Sequence, residues 1–162
     1  MKKIFTFVCL LMLGVGVSNA QVHQGETAAG ITLSYGSEIE SLGLGARFQY
    51  GIIDHLRAEV GFNGFFQHKH TSCWDVNLNA HYLVNLKNNQ FYIYPLAGIN
   101  YTMVDYKGDL DGRGEENHIG LNVGAGLEYE LSNNWGVNLE YRHTIVRKVD
   151  QGVIGIGLNY KF

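Results

Sequence analysis

Six charged side chains sit at intervals inside stretches that are otherwise apolar or glycine-rich: Arg47, the pair Arg57 and Glu59, Glu128, and the pair Glu140 and Arg142. A spacing of two puts both members of each pair on one face of an extended chain. Guanidinium and carboxylate groups arranged this way can neutralise one another, and in a nearly dry interior they must, because an unpaired buried charge is costly. The same groups support a second chemistry: if the pairs exchange partners, ions can pass along the face they line. Two other clusters invite metal binding. Gln67-His68-Lys69-His70 precedes Cys73 and offers two imidazoles and a thiol, but without a four-ligand spacing that closes around a soft metal. Asp109, Asp111, Glu115 and Glu116 are acidic, yet the segment lacks the third ligand before Gly112 and the distal glutamate of a calcium loop. Solvated surface loops explain both clusters. The glycines never link a strand to a helix as a phosphate loop requires. Neither a metal nor another cofactor is therefore expected.

These groups need elements to position them. The chain has 162 residues with 21 Gly, 10 Tyr, 8 Phe and Pro95 as its single proline. Past the leader, apolar residues do not recur for long at i, i+3, i+4 and i+7, and each interior Gly would cost a helix about 1 kcal/mol. The leader itself opens on Lys2 and Lys3, continues through apolar Ile4 to Val17, and ends on the small residues Ser18-Asn19-Ala20. This almost wholly apolar stretch of 14 residues falls short of the ~20 of a spanning helix, so residues 1–20 read as a cleaved export signal and 21–162 as one domain. Without Lys2 and Lys3, ten basic residues face fifteen acidic ones, and the net charge of about −5 with His neutral disfavours a nucleic-acid partner. Cys9 leaves with the signal, so Cys73 has no partner for an intramolecular disulfide.

Strict period-two alternation fills the rest of the chain. Ile154, Ile156, Leu158, Tyr160 and Phe162 share one face of the last segment, and Gly155, Gly157, Asn159 and Lys161 share the other. Seven earlier segments alternate in the same way, beginning near Ile31, Leu42, Leu56, Trp74, Phe91, Ile119 and Trp135. The links alternate as well: Ile52-Ile53-Asp54, Lys87-Asn88-Asn89 and Ser132-Asn133-Asn134 are short, whereas 36–41, 67–72 and 107–116 are polar and mostly longer. The prediction is an all-β fold, an eight-stranded antiparallel up-and-down transmembrane β-barrel with turns at one end and loops at the other.

Residue size decides which face is inside. The polar face carries Gly43, Gly45, Gly61, Gly98, Gly120, Gly124, Gly126, Gly155 and Gly157, which suit an eight-stranded interior that side chains just fill. The other face is almost free of charge. Aromatic residues fall at its ends: Tyr50, Phe91, Trp135 and Phe162 near the turns, and Tyr35, Phe62, Trp74 and Tyr101 near the loops. Two such belts match the interfacial girdles of membrane barrels. Pro95 lacks an N–H in a sheet without edges, and a local bulge is expected there. The turn at Ile52-Ile53 puts Glu59 opposite Arg47 or one step diagonal to it. Glu128, Glu140 and Arg142 are expected to cluster on neighbouring strands, and the six charges to plug the lumen.

The leader, the eight segments and the terminal Asn159-Tyr160-Lys161-Phe162 resemble the small OmpA/OmpX-type outer-membrane barrels, including the porin-like barrel proteins of Bacteroidetes. The resemblance implies the outer membrane of a Gram-negative bacterium. It also implies contact with outer-membrane lipids and lipopolysaccharide, and a terminal assembly signal at Tyr160 and Phe162 read by the barrel assembly machinery. A monomer is expected. Lipid A deacylases of similar build place a catalytic His where His143 falls, but they carry a Ser two residues later, and here that residue is Ile145. Thr144 has the opposite parity. The leading expectation is a non-enzymatic barrel with a structural or surface-interaction role. A narrow porin-like channel is the alternative, and a lipid A-modifying enzyme comes third.

Overall fold

The computed structural model describes residues 24–68, 71–87, 90–106, 114–146 and 150–162, and every regular element among them is a strand. In chain order these are β1 (Thr27–Gly36), β2 (Ser41–Ile53), β3 (Leu56–His68), β4 (Thr71–Tyr82), β5 (Val84–Lys87), β6 (Phe91–Tyr106), β7 (Gly114–Glu130), β8 (Trp135–Ile145) and β9 (Gln151–Lys161). All pairings are antiparallel. β9 returns to β1 from Ala28↔Lys161 to Gly36↔Val153 and so closes the barrel. Closure leaves no sheet edge, which is what lets strands cross a hydrocarbon layer with their backbone groups satisfied.

β4 and β5 both pair with β6 and form one wall strand in two parts, so the barrel has eight strands. Their junction corrects the expectation at Pro95. His81↔Leu96 and Val84↔Ile93 keep one register, so the wall strand does not bulge at Pro95; the ladder is interrupted at Tyr82 and Leu83, opposite Pro95 and Tyr94. On its other side Pro95 stays in register with Ala125. A missing N–H removes a ladder bond on one side of a strand and need not add a residue. The register shifts lie elsewhere, at Gly51/Ile53, Phe65/His68 and Asn85/Lys87.

Residues 67–72 were expected as a connection, but β3 runs to His68, β4 starts at Thr71, and these two residues pair. Likewise Gly114, Glu115 and Glu116 belong to β7 and pair with Tyr106, Asp105 and Val104. Polar composition marks where the apolar belt ends, while ladder hydrogen bonds continue into water beyond it. The expected leader, the tip of the turn at 88–89, His70, Asp109 and Asp111 lie outside the described residues.

The faces are inverted relative to a water-soluble domain. Along β9, Ile154 and Ile156 are exposed while Gly155, Gly157, Asn159 and Lys161 are buried. The same alternation exposes Ile31 and Leu33 and buries Thr32 and Ser34 on β1. So continuous an apolar exterior belongs against lipid. At its margins, Phe62 meets Trp74 edge-on at 5.6 Å near the loop end. At the turn end Trp135 meets Tyr160 at 5.0 Å, and Tyr160 meets Phe162 at 5.3 Å.

Candidate functional site

The inward positions build the site, and all six predicted charges occupy them, buried: Arg47, Arg57, Glu59, Glu128, Glu140 and Arg142. Arg57 on β3 reaches across the lumen to Glu128 on β7 with two contacts, Nη1 to Oε1 at 3.2 Å and Nη2 to Oε2 at 2.8 Å. Such a two-pronged, charge-assisted pair is stronger than a neutral hydrogen bond and orients both groups. Arg47 on β2 places Nη1 3.3 Å from Glu59 Oε2 and 3.6 Å from Glu140 Oε2, and its Nε donates to Thr32 Oγ1 at 2.8 Å. Glu59 also accepts from Gln49 at 2.8 Å. Its pairing with Arg47 is diagonal, because the residue directly opposite Arg47 is Gly61 and that opposite Glu59 is Gln49.

The expected grouping of Glu128, Glu140 and Arg142 does not form. Glu128 goes to Arg57, Glu140 to Arg47 and to the Tyr94 hydroxyl at 2.9 Å, and Arg142 to Asp75 at 3.2 Å. The cause is local. Glu140 and Arg142 lie beside Gly126 and Gly124 on β7, which offer no side chain, so both reach across a lumen narrow enough to provide partners.

Sequence reasoning passed over several members of the site. His81 is fully buried and stacks on Tyr94, ring centroids 4.7 Å apart and planes 18° from parallel. Its Nδ1 is 3.3 Å from Arg57 Nη2, and the Arg57 guanidinium lies 5.4 Å from the Tyr94 ring centre. Tyr94 packs with Leu83, Tyr92 and Leu96 in an apolar cluster inside the barrel. Above it, toward the loops, Asp75 accepts from Asn63 and Asn77, Asn122 donates to Asn77 and Asn79, and Thr144 donates to Asn122. A second apolar cluster of Phe65, Cys73 and Val153, flanked by Ile39 and Val104, lies at the loop end. Asp75, Asn77, Asn79 and His81 share a parity, so alternation could have exposed them. Leu83, Tyr92, Tyr94 and Leu96 are apolar on the polar face and gave no such signal.

Of the remaining candidates, His143 and Ile145 stay apart from this network, while Thr144 joins it through Asn122. His143 is outward and half-buried, and it pairs with Val123 and Gly152. Ile145 is exposed beside it, while the Thr144 hydroxyl is turned into the lumen. Cys73 points inward. Tyr160 lies in the outer belt, and the Phe162 N–H donates to the Thr27 carbonyl at 2.9 Å. Lys161 turns inward at the periplasmic mouth, 3.0 Å from Glu26 and 2.5 Å from Glu130. Donor atoms of Glu59, His81 and Glu140 all lie within 4.8 Å of one another, the spacing of a metal centre. Two guanidinium groups already serve them, and Arg57 faces the ring nitrogen that a ligating His would turn to an acceptor. The trio therefore reads as an ion-pair network.

Comparison with known proteins agrees with this geometry. Residues 7–162 match the family model described as outer membrane protein beta-barrel domain. Outer membrane protein A of Yersinia pseudotuberculosis is 26% identical over 145 residues, which cover 76% of this chain and 40% of that protein. This chain thus spans less than half the length of that relative. Among solved structures, the N-terminal barrel domain of Pseudomonas aeruginosa OprF superposes with a TM-score of 0.75 at 16% identity, covering 86% of this chain and 98% of the domain. Ail, the attachment invasion locus protein of Yersinia pestis, superposes with a TM-score of 0.65 at 16% identity, covering 86% of this chain and 99% of Ail.

Proposed function

Because this chain belongs to the outer membrane protein beta-barrel domain family and resides in the outer membrane of a Gram-negative bacterium, we propose that it is a non-conducting barrel with a structural or surface-interaction role. One observation carries this reading. At the level of Arg57 the Arg57–Glu128 pair, His81 stacked on Tyr94, and the apolar cluster of Leu83, Tyr92 and Leu96 all point into the lumen, which supports reading it as filled there. The cavity above it, between Arg47 and Arg142, is only about 20 Å³, the room of a water molecule. A filled lumen leaves the loops and the lipid-facing belt as the surfaces open to partners. In this reading those partners are outer-membrane lipids and lipopolysaccharide at the aromatic belts, with the barrel assembly machinery engaging Tyr160 and Phe162. The barrel acts as a monomer. We assign no hydrolytic role to His143, since Ile145 stands where the deacylases of similar build carry a Ser and the Thr144 hydroxyl is turned into the lumen.

A narrow channel is the second reading, favoured by Arg47 lying within reach of two carboxylates between which it can exchange. Planar-bilayer recording of the purified barrel at neutral pH separates the two. Silence is expected; discrete conducting steps would overturn the filled-lumen reading.

A further inference from the structure

We propose that His81 makes the lumen acid-sensitive: when its ring takes up a second proton, it leaves Arg57 and Tyr94, and the barrel that is closed at neutral pH begins to conduct. The proposal rests on the filled-lumen reading above. Its ground is the bonding of the ring. A guanidinium only donates, so the 3.3 Å contact from Arg57 Nη2 requires a lone pair on His81 Nδ1, which puts the single proton of the neutral ring on Nε2. That nitrogen is buried without a hydrogen-bond partner, 3.7 Å from Glu59 Oε1. The neutral ring thus fits its site on one side and is left short on the other.

A proton on Nδ1 reverses both terms. It sets an imidazolium N–H against a guanidinium N–H at the present distance, and it strengthens the pull of Glu59 on Nε2. The charged and titratable groups around the ring are Arg47 on β2, Arg57 and Glu59 on β3, Tyr94 on β6, Glu128 on β7 and Glu140 on β8. Two guanidinium groups face three carboxylates there, so one added proton brings the group to neutrality once the ring has turned toward Glu59. The backbone beside His81 is held on one side only, where Tyr82 pairs with Leu56 and the Leu83 N–H donates to the His55 carbonyl at 2.8 Å. Its wall strand loses its ladder to β6 at Tyr82 and Leu83, opposite Pro95. The Tyr94 ring, against which His81 stacks, lies over Gly126, where no side chain backs it. A ring that moves at this joint loosens the section of the lumen shared by the Arg57–Glu128 pair, Tyr94 and the apolar cluster around it.

The test is planar-bilayer recording of the full barrel at about pH 7.5 and about pH 5, bracketing the range in which His titrates. Wild type should be silent at the higher pH and show discrete steps at the lower, and His81→Gln, which cannot titrate, should stay silent at both. Acid-induced steps that persist in His81→Gln would assign the effect to the carboxylates and overturn the proposal. Silence of wild type at both pH values overturns it too, while leaving the closed-barrel reading intact. Steps at the higher pH overturn both. If His81→Gln does not insert, NMR titration of the wild-type His81 ring in detergent micelles replaces it. The ring resonances should then shift over the same pH interval in which conductance rises, and a ring that titrates outside that interval rejects the mechanism.

Discussion

Inward positions from β4 through the β4–β5 junction into β6 include Asn77, Asn79, His81, Leu83, Tyr92, Tyr94 and Leu96, whereas those on β7 and β9 include Gly120, Gly124, Gly126, Gly155 and Gly157. The two sides are complementary. Tyr94 pairs with Gly126, which in turn pairs with Glu140, so the tyrosine reaches a carboxylate two strands away across a position without a side chain. A Cβ at Gly126 would run into the Tyr94 ring, and one at Gly157 would lie 3.2 Å from Arg47 Nη2. Long inward side chains in a small barrel thus need neighbouring positions that supply gaps where they lie. The glycines are there for close approach and not for backbone freedom, since the only positive-φ glycine among the described residues is Gly25, before β1.

The largest expected effect comes from the side chains that cross between the two sides. Glu128→Ala strands Arg57 in the lumen and should cost about 3–5 kcal/mol in urea unfolding of the folded barrel. An Arg57→Met, Glu128→Leu double variant should recover most of that loss. A double variant as weak as the single one would show that the pair contributes more than mutual neutralisation. Next, Gly126→Val should cost about 1–3 kcal/mol through overpacking against Tyr94. Gly61→Ala, whose Cβ would meet nothing closer than 3.9 Å, should be nearly neutral in the same assay. Equal losses would remove the distinction between glycines that receive a side chain and those that merely line the wall. The smallest effect on stability belongs to the outer belt. Phe162→Ala removes the edge contact with Tyr160 and should cost about 0.5–1.5 kcal/mol. Its effect on the amount of barrel assembled in cells should be greater, and an unchanged amount would dismiss the terminal aromatic as an assembly signal.

Alternation along the chain made the barrel legible, because period two is a property of the extended backbone and needs no tertiary information. It sorted Arg47, Arg57, Glu59, Glu128, Glu140 and Arg142 to one face, where they lie. It misplaced the strand ends at His68, Thr71 and Gly114, since polarity reports the margin of the lipid and not the last ladder bond. Pro95 was read as a bulge because one strand's missing donor does not reveal whether its neighbour answers with an extra residue or a gap.

Parity and residue type therefore determined from sequence the strand number, the closure of the fold, and which side chains face inward. Partnership belonged to the tertiary structure. Strand tilt and register decide which inward residues stand level with one another across the lumen, and those pairings join residues as distant in sequence as Arg57 and Glu128 or Asp75 and Arg142. The same geometry brought His81 and Tyr94, unremarkable in their separate segments, into the stack on which the proposed closure of the lumen and its proposed response to acid depend.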